Sequence, residues 1–538
     1  MKKRIISALL VSVFALAMCG SDVRVADYDV VVIGSGGGGL AAAAKLSLAG
    51  KKVLVLEQHY QAGGYMTSFQ RGDYTFEASL HAMDGLDPEN GINVQLFNDL
   101  DIHKRVKPVK IDPMYRLVIP NITMDIPADA EKYRELLIEK FPEEKSGIVN
   151  LFAELERIDI AMKTGLEVMR GNYLKGIWGS ITNPLALWTM MKYRDYTAGA
   201  LVNDFLKDKA LLNVFTILIG FLGEGNDSVS GIIFAAMWNS YHRGGYYYFE
   251  GGSQSVSKAL ADVIRENRGE ILLSTRAVKI IIKNGMASAV RAENLRTKEV
   301  KEYSCRYVVS NANAPDTFFK LVGEENLPAD YVSRLKSMEI GPSTFCVYMG
   351  VKKDYTKYYP AHAHGIMVSD YIDEADNVKA VKEGDISKIS FGIANYTILN
   401  PNSAPKGKNT ICMVCIMPYD TNDGWKLAGG YDKYTGYKKE IGMKFAKRAE
   451  RFLPGLISNI EVMEVGTPVT NRNYTSNPNG TIFGWANTPG QSLTNRLPQD
   501  TPIKNLFLAG AWTRPCGGQS AVMISGYTAA RMILDADD

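Results

Sequence analysis

The sequence predicts an α/β fold, in which a discontinuous Rossmann-type domain carries an inserted α+β substrate (cap) domain. Three observations carry this expectation. A strand, a glycine-rich turn, a helix, a second strand and a terminal acid succeed one another between Tyr28 and Glu57. A short apolar strand ending on glycine and leading into a helix lies far away, at 504–531. Between these pieces run two long mixed segments with neither internal repeats nor low-complexity linkers.

The first unit is read residue by residue. Tyr28 to Ile33 is a β-branched run with the profile of a buried parallel strand. Gly34-Ser35-Gly36-Gly37-Gly38-Gly39 follows at once, then a helix rich in alanine and leucine from Leu40 to Ala49. Val53 to Leu56 is the second strand, and it ends on Glu57. Gly34 permits the tight turn, Gly36 lets backbone approach a pyrophosphate, and Gly39 lets helix pack closely on strand. The helix start supplies amide donors and partial positive charge to phosphates. Glu57, 23 residues after Gly34, is placed to accept from an adenosine ribose. The order strand, turn, helix, strand and acid separates this unit from a glycine linker and predicts a bound dinucleotide.

Which dinucleotide is decided downstream. Glu57-Gln58-His59-Tyr60-Gln61-Ala62-Gly63-Gly64 extends the acid into a second glycine pair. It resembles the pair by which flavin amine oxidases and phytoene desaturases hold FAD, which NAD-only domains usually lack. Lys504 to Gly510 is the distant strand, and Cys516-Gly517-Gly518-Gln519-Ser520-Ala521-Val522 opens the helix running through Arg531. A third piece, Glu250-Gly251-Gly252-Ser253, precedes a helix at 256–267. The strand Ala277 to Ile282, an Asn284-Gly285 turn, a return strand to Ala292 and the strand 307–312 follow.

Together the chain resembles the carotenoid isomerase, retinol saturase and phytoene desaturase group of FAD enzymes. The stretches that carry the resemblance include Gln58 to Tyr65, Gly72 to Glu77, Phe249 to Ser253, Tyr474 to Gly480, Gly484-Trp485-Ala486 and Leu508 to Thr513. They span almost everything after residue 27. The resemblance implies a discontinuous Rossmann-type FAD-binding domain from 27–100, 245–320 and 478–538, with the substrate domain from 101–244 and 321–477. It further implies that Val278 meets the adenine, and that Gly510, Ala521 and Val522 lie by the ribityl chain and flavin ring. A helix start aimed at that ring would stabilise its anionic reduced form. Ala511 departs from the acid that several flavin families place there, which leaves no carboxylate contact at that position. No second strand–GxGxxG–helix unit, G-x-S-x-G, H-E-x-x-H or P-loop occurs, so the flavin carries the redox chemistry.

The inserted segments read as helices at 130–141 and 145–169 and strands at 344–349 and 410–417. Trp238, Tyr241, Tyr246 and Tyr248 form an aromatic cluster where the substrate and FAD domains should meet, and they are candidates to line a flat apolar substrate. Packing of an edge strand is the alternative. Two apolar stretches, 177–193 and 211–222, read either as a monotopic membrane patch or as cap core, with Asn183-Pro184 interrupting the first. His81, beside a segment that runs along the flavin in relatives, is the candidate for a proton role, with a structural histidine as the alternative. His362-Ala363-His364 lacks acidic or cysteine partners at ligand spacing and reads as a solvated loop, so no metal is expected. Cys412-Met413-Val414-Cys415 sits in a strand-like run and reads as buried thiols.

Composition bounds the rest. At about 150 residues per domain, 538 residues allow two to four domains. Hydrophobic residues at 46 % and charged residues at 22 % support a sizeable core, and six cysteines are too few for a disulfide scaffold. The net charge is +3, and Lys2, Lys3 and Arg4 account for it, so no nucleic acid partner is expected. These bases precede a 14-residue apolar run, Ile5 to Met18, shorter than the ~20 residues of a membrane span. The pattern predicts a signal peptide over 1–18 and an exported protein, periplasmic or membrane-associated. Cleavage follows either Ala17 or a lipobox whose Cys19 carries lipid, although Met18 departs from the small residue expected there. An uncleaved anchor is a third reading.

The expected function is an FAD-dependent oxidoreductase acting on carbon–carbon double bonds of a lipophilic polyene or isoprenoid, such as a carotenoid or retinoid. Saturation, desaturation and cis–trans isomerisation all fall within it, with an electron donor or acceptor still to be assigned. The alternatives are a flavin amine oxidase and a non-enzymatic flavin electron carrier or carotenoid-binding lipoprotein.

Overall fold

The computed structural model describes residues 26–79, 82–169, 173–223 and 225–537. The N-terminal segment read as an export signal, including Cys19, lies outside them, as does His81. Among the described residues, seven strands form a first sheet. Its order is Glu270–Leu272, Val53–Leu56, Tyr28–Ile33, Val300–Ser310, Met286–Asn294 and Thr275–Lys283, with Leu506–Leu508 also against Val300–Ser310. Val30, Val31 and Val32 are completely buried, as a parallel strand covered on both faces requires. Val300–Ser310 serves two partners along its length. Residues 300–304 pair antiparallel with Met286–Asn294, and 305–310 pair parallel with Tyr28–Ile33.

The helix Gly37–Leu48 packs between Gln519–Asp537 and Ser253–Glu266. In the last of these, Val256, Ala259, Leu260, Val263 and Ile264 are buried, the 3-4 spacing of one helix face. The expected strands at 28–33 and 53–56 coincide with those observed, while the helix expected from Leu40 begins at Gly37. The glycines are thus the first turn of the helix itself.

The second sheet has the order Ile460–Gly466, Ser343–Val351, Asn409–Met417, Phe391–Asn395, Gly365–Val368, Tyr115–Ile119 and Ile122–Ile126. Ser343–Val351 is buried throughout, but its two faces differ by the period-2 rule. Phe345, Val347 and Met349 join Ile441 and Phe445 of the helix Tyr431–Arg448 in one core. Cys346 and Tyr348 join the core on the other side. Cys412 and Cys415, three residues apart in one strand, fall on opposite faces for the same reason, and both are free thiols.

The two apolar stretches separate. Leu211, Phe215, Leu218 and Ile219 are core, buried to 2 % exposure or less. The 177–193 stretch is two helices, Tyr173–Thr182 and Pro184–Tyr193, broken at Asn183 as the sequence indicates. Tyr246–Phe249 is the central strand of a three-stranded sheet, between Met83–Asp84 and Pro108–Lys110, so the edge-strand alternative is corrected. Among the described residues, no helix is long and apolar enough to cross a membrane.

Candidate functional site

The C-terminal ends of the parallel strands converge on the glycine turn. Gly34, at φ 89°, adopts a conformation open to glycine, and its amide donates to the Leu56 carbonyl at 2.8 Å. Gly36 caps the helix without help from any side chain, so the first-turn amides are left for a ligand. Gly63 donates to the Ser35 carbonyl at 3.0 Å, which lays the second glycine pair against the first turn. A Cβ on Gly36 would approach Asn311 Nδ2 to 2.8 Å, and one on Gly38 would approach Asn311 Oδ1 and the Gly510 amide to 2.7 Å. A side chain here would fill the cradle.

Glu57 is buried and locks the turn. Its Oε2 accepts from the Ser35 amide and hydroxyl, both at 2.7 Å, while Oε1 accepts from the His59 amide at 2.7 Å. Oε2 is thereby saturated, whereas Oε1 keeps a lone pair for a further donor.

A continuous cavity of about 2000 Å³ begins at this cradle. Gly34, Gly36, Glu57, Gly63, Gly64, Val278, Gly510 and Val522 border it. Gly39 and Ala521 do not. Gly39 packs directly on the Gly34 carbonyl, and Ala521 lies beside Val522 in the first turn of its helix without reaching the wall.

Another part of the wall comes from the second sheet and its neighbours: Cys346, Tyr348, Tyr396, Cys412 and Val414, with Tyr241 from the first insertion and Tyr246 from the strand that follows it. Tyr241 and Tyr246 meet edge to face, with ring centroids 5.2 Å apart. Trp238 and Tyr248 are corrected as lining residues. Trp238 is fully buried against Tyr133, Phe152 and Phe215, because it shares a helix face with His242 one turn on, and Tyr241 takes another face. Tyr248 lies one layer behind the wall, tilted against Tyr396 and His364 and hydrogen-bonded to Glu77.

Glu77 is the described carboxyl most enclosed by this wall. Its Oε1 accepts from Ser68 Oγ at 2.7 Å and its Oε2 from Ser253 Oγ at 2.5 Å. Burial pushes its carboxyl above the usual range, against the pull of these serine bonds. The sequence did not single out Glu77, although an acid following Phe76 in a short buried strand is a readable signal.

Asn311 and Arg496 were missed too. Asn311 shows itself only as a polar residue continuing a buried strand. Arg496 is completely buried and donates to the carbonyls of Ala511 at 2.7 Å, Thr513 and Phe483 at 3.1 Å, and Trp485 at 3.2 Å. It ties the 483–485 loop to the 511–513 segment, and Phe483, Ala511 and Trp512 of these border the cavity. No local pattern marks such an arginine in the sequence. His364 also departs from expectation: it is 2 % exposed and borders the cavity, not a solvated loop. Among the described residues, no group of three or more metal-ligating side chains occurs.

The family described as flavin containing amine oxidoreductase matches residues 38–534. Prolycopene isomerase of Daucus carota is 27 % identical over 514 residues, covering 95 % of this chain and 80 % of its own. All-trans-retinol 13,14-reductase of Danio rerio is 26 % identical over 537 residues, covering 95 % and 86 %. An oxidoreductase of Methanosarcina mazei shares the fold, with a TM-score of 0.60 at 18 % identity over 94 % of this chain and 100 % of its own. The capless glycine helix, the buried acid and the second glycine pair fit the dinucleotide cofactor of this family, which is FAD. The chain is an FAD-dependent oxidoreductase and belongs to the flavin containing amine oxidoreductases.

Proposed function

We propose that this enzyme acts on carbon–carbon double bonds of a lipophilic polyene or isoprenoid, such as a carotenoid or retinoid, by saturation, desaturation or cis–trans isomerisation. The observation that carries the reading is the part of the cavity wall built from tyrosine rings, two thiols and a valine around one buried carboxyl. Such a wall holds a long apolar ligand through buried area, at ~25 cal/mol per Å², and penalises a charged one. Two relatives along nearly the whole chain, named for prolycopene isomerisation and for retinol reduction, support it.

In this reading the turn at Gly34 and Gly36, with Gly39 packing the helix down, holds the pyrophosphate. Glu57 accepts from the adenosine ribose and Val278 meets the adenine. Gly63 and Gly64, laid against the first turn, help to hold the FAD, and Gly510 and Val522 lie by the ribityl chain and ring, with Ala521 behind Val522 in the same helix turn. Bound FAD supplies hydride exchange with a substrate carbon. The chain's own part is to exclude water, to orient the polyene between Tyr241, Tyr348 and Tyr396, and to keep a proton near the reacting carbons. Glu77, backed by Tyr248, and His81 are the candidates for that proton. Net saturation requires an electron donor and net desaturation an acceptor, whereas isomerisation requires neither overall.

Reduced protein incubated anaerobically with polyenes and retinoids, and oxidised protein incubated with amines, are followed by product chromatography. An altered double bond is the expected result. Amine oxidation with every polyene unchanged would overturn the reading in favour of an amine oxidase. A yellow protein that turns over neither class would be an electron carrier or a carotenoid-binding protein.

A further inference from the structure

The helices Tyr173–Thr182 and Pro184–Tyr193 are amphipathic in the reverse sense from a helix of a water-facing surface. In the first, Leu174, Ile177, Trp178 and Ile181 form one stripe at 3-4 spacing, and all four are exposed, Leu174 to 86 %. In the second, Leu185, Trp188 and Met191 repeat every third residue and are likewise exposed, Met191 to 73 %. Apart from Tyr193, which is fully buried, and Met190, which packs partly buried against the core, the inward face is small or polar. Gly176 is buried, a Cβ on Gly179 would come within 2.9 Å of Thr164 in the helix Lys145–Met169, and Ala186 and Thr189 are 3 % and 1 % exposed. Leu174, Ile177, Trp178, Ile181, Leu185, Trp188 and Met191 are therefore left outside by the fold.

We infer that this helix pair is a docking surface for an anionic lipid bilayer. Exposed indole rings, net charge and the neighbouring cavity together point to the occupant. From 173 to 194 the sequence carries three bases, Lys175, Lys192 and Arg194, and no acid. The acids that meet them lie just beyond, Asp195 at 3.5 Å from Arg194 and Asp204 at 3.7 Å from Lys192, so the surface keeps a small net positive charge. An apolar face bearing Trp178 and Trp188, with Lys192 and Arg194 at one end, suits the headgroup boundary, where indole rings and long cationic side chains settle. Insertion is in-plane, since neither helix exceeds ten residues. The surface is also close to the cavity. Pro184–Tyr193 packs on Gly231–His242, which brings Tyr241 to the cavity wall, and Gly199, Leu212 and Ile219 of the following segment border the same cavity. A substrate dissolved in the bilayer would thus enter without crossing water. That route rests on the proposed lipophilic substrate, but the binding of lipid does not.

The test uses the full-length, FAD-loaded protein and vesicles of phosphatidylcholine with or without phosphatidylglycerol. Wild type should sediment with the anionic vesicles and less with neutral ones or in high salt. A triple variant, Ile177→Ser, Trp178→Ser and Trp188→Ser, should lose about tenfold or more in partitioning at unchanged flavin content. Both proteins share one N-terminus, so the difference reads the helix pair alone. If the triple variant fails to fold, Lys175→Gln with Arg194→Gln should lower the phosphatidylglycerol-dependent part. Equal partitioning of wild type and variants would overturn the inference. So would wild type staying in the supernatant as a dimer that the triple variant dissociates. Turnover of a detergent-dispersed polyene is measured in parallel: failure there with lipid binding intact rejects the substrate and not the surface.

Discussion

A Cβ on Gly38 would lie 2.7 Å from the amide nitrogen of Gly510 and 2.9 Å from its Cα. The first helix and the last strand therefore meet backbone to backbone, with the Asn311 side chain wedged at the same point. Gly38→Ala cannot be relieved by a rotamer change, because both obstacles are main chain. It should destabilise the protein by about 1–3 kcal/mol and reduce bound FAD. Thermal melting and flavin absorbance per protein check this. Wild-type values for both would show that the contact is not needed.

Glu57→Ala should weaken FAD binding by about 1.5–3 kcal/mol through loss of a charge-assisted hydrogen bond. Titration of the apoprotein with FAD measures it. Glu57→Gln should retain the Ser35 hydroxyl as a neighbour and lose less. Unchanged affinity in the alanine variant would remove Glu57 from the ribose site.

Arg496→Met should cost about 3 kcal/mol or more, because several buried carbonyls lose their donor at once. Arg496→Lys keeps three donors but not the planar fork and should recover only part of the loss. Denaturant unfolding of the three proteins gives the order wild type, lysine, methionine. A methionine variant as stable as wild type would mean that the 483–485 and 511–513 segments hold each other without the guanidinium.

Acid sensitivity should be read at His242. Burial between Tyr133 and Trp238, with centroids at 4.8 and 4.5 Å, lowers its imidazole to about 3. Between that value and the ordinary 6.5 the unfolded chain binds a proton that the folded chain refuses. Stability therefore falls as pH drops below about 6.5, by up to about 1.4 kcal/mol per unit. Glu374 contributes with the opposite sign. Burial raises it to about 7, so its contribution is lost as pH rises from 4.5 through 7. The comparison of wild type with His242→Phe, by urea midpoint across this range, isolates the imidazole. Parallel pH profiles for the two would sink the assignment.

The dinucleotide half was legible because its signals are local: a β-branched run, a glycine turn and a terminal acid are adjacent in sequence and in space. The substrate half was legible only as strands and helices. Which tyrosine faces the cavity depends on how Gly231–His242 rotates against Lys145–Met169, and nothing within the helix separates Trp238 from Tyr241. Likewise, the burial of Leu211, Phe215 and Leu218 and the exposure of Ile177, Trp178 and Trp188 follow from what packs beneath each, since both stretches read as apolar. Glu77 and Arg496 draw their surroundings from segments up to 176 residues away and from carbonyls, which carry no side-chain signature.

The strand Val300–Ser310, shared between the antiparallel hairpin and the parallel sheet, also has a bearing on biosynthesis. Its residues 308–310 must still receive Leu506–Leu508 along the remaining side, and the helix Gln519–Asp537 must then settle on Gly37–Leu48. A ribosome delivers the glycine turn early and these partners last. Such long-range pairing is slow to form. The cofactor pocket thus closes only after translation is essentially complete, and a chain released before residue 506 would emerge with its glycine turn formed but no floor beneath it.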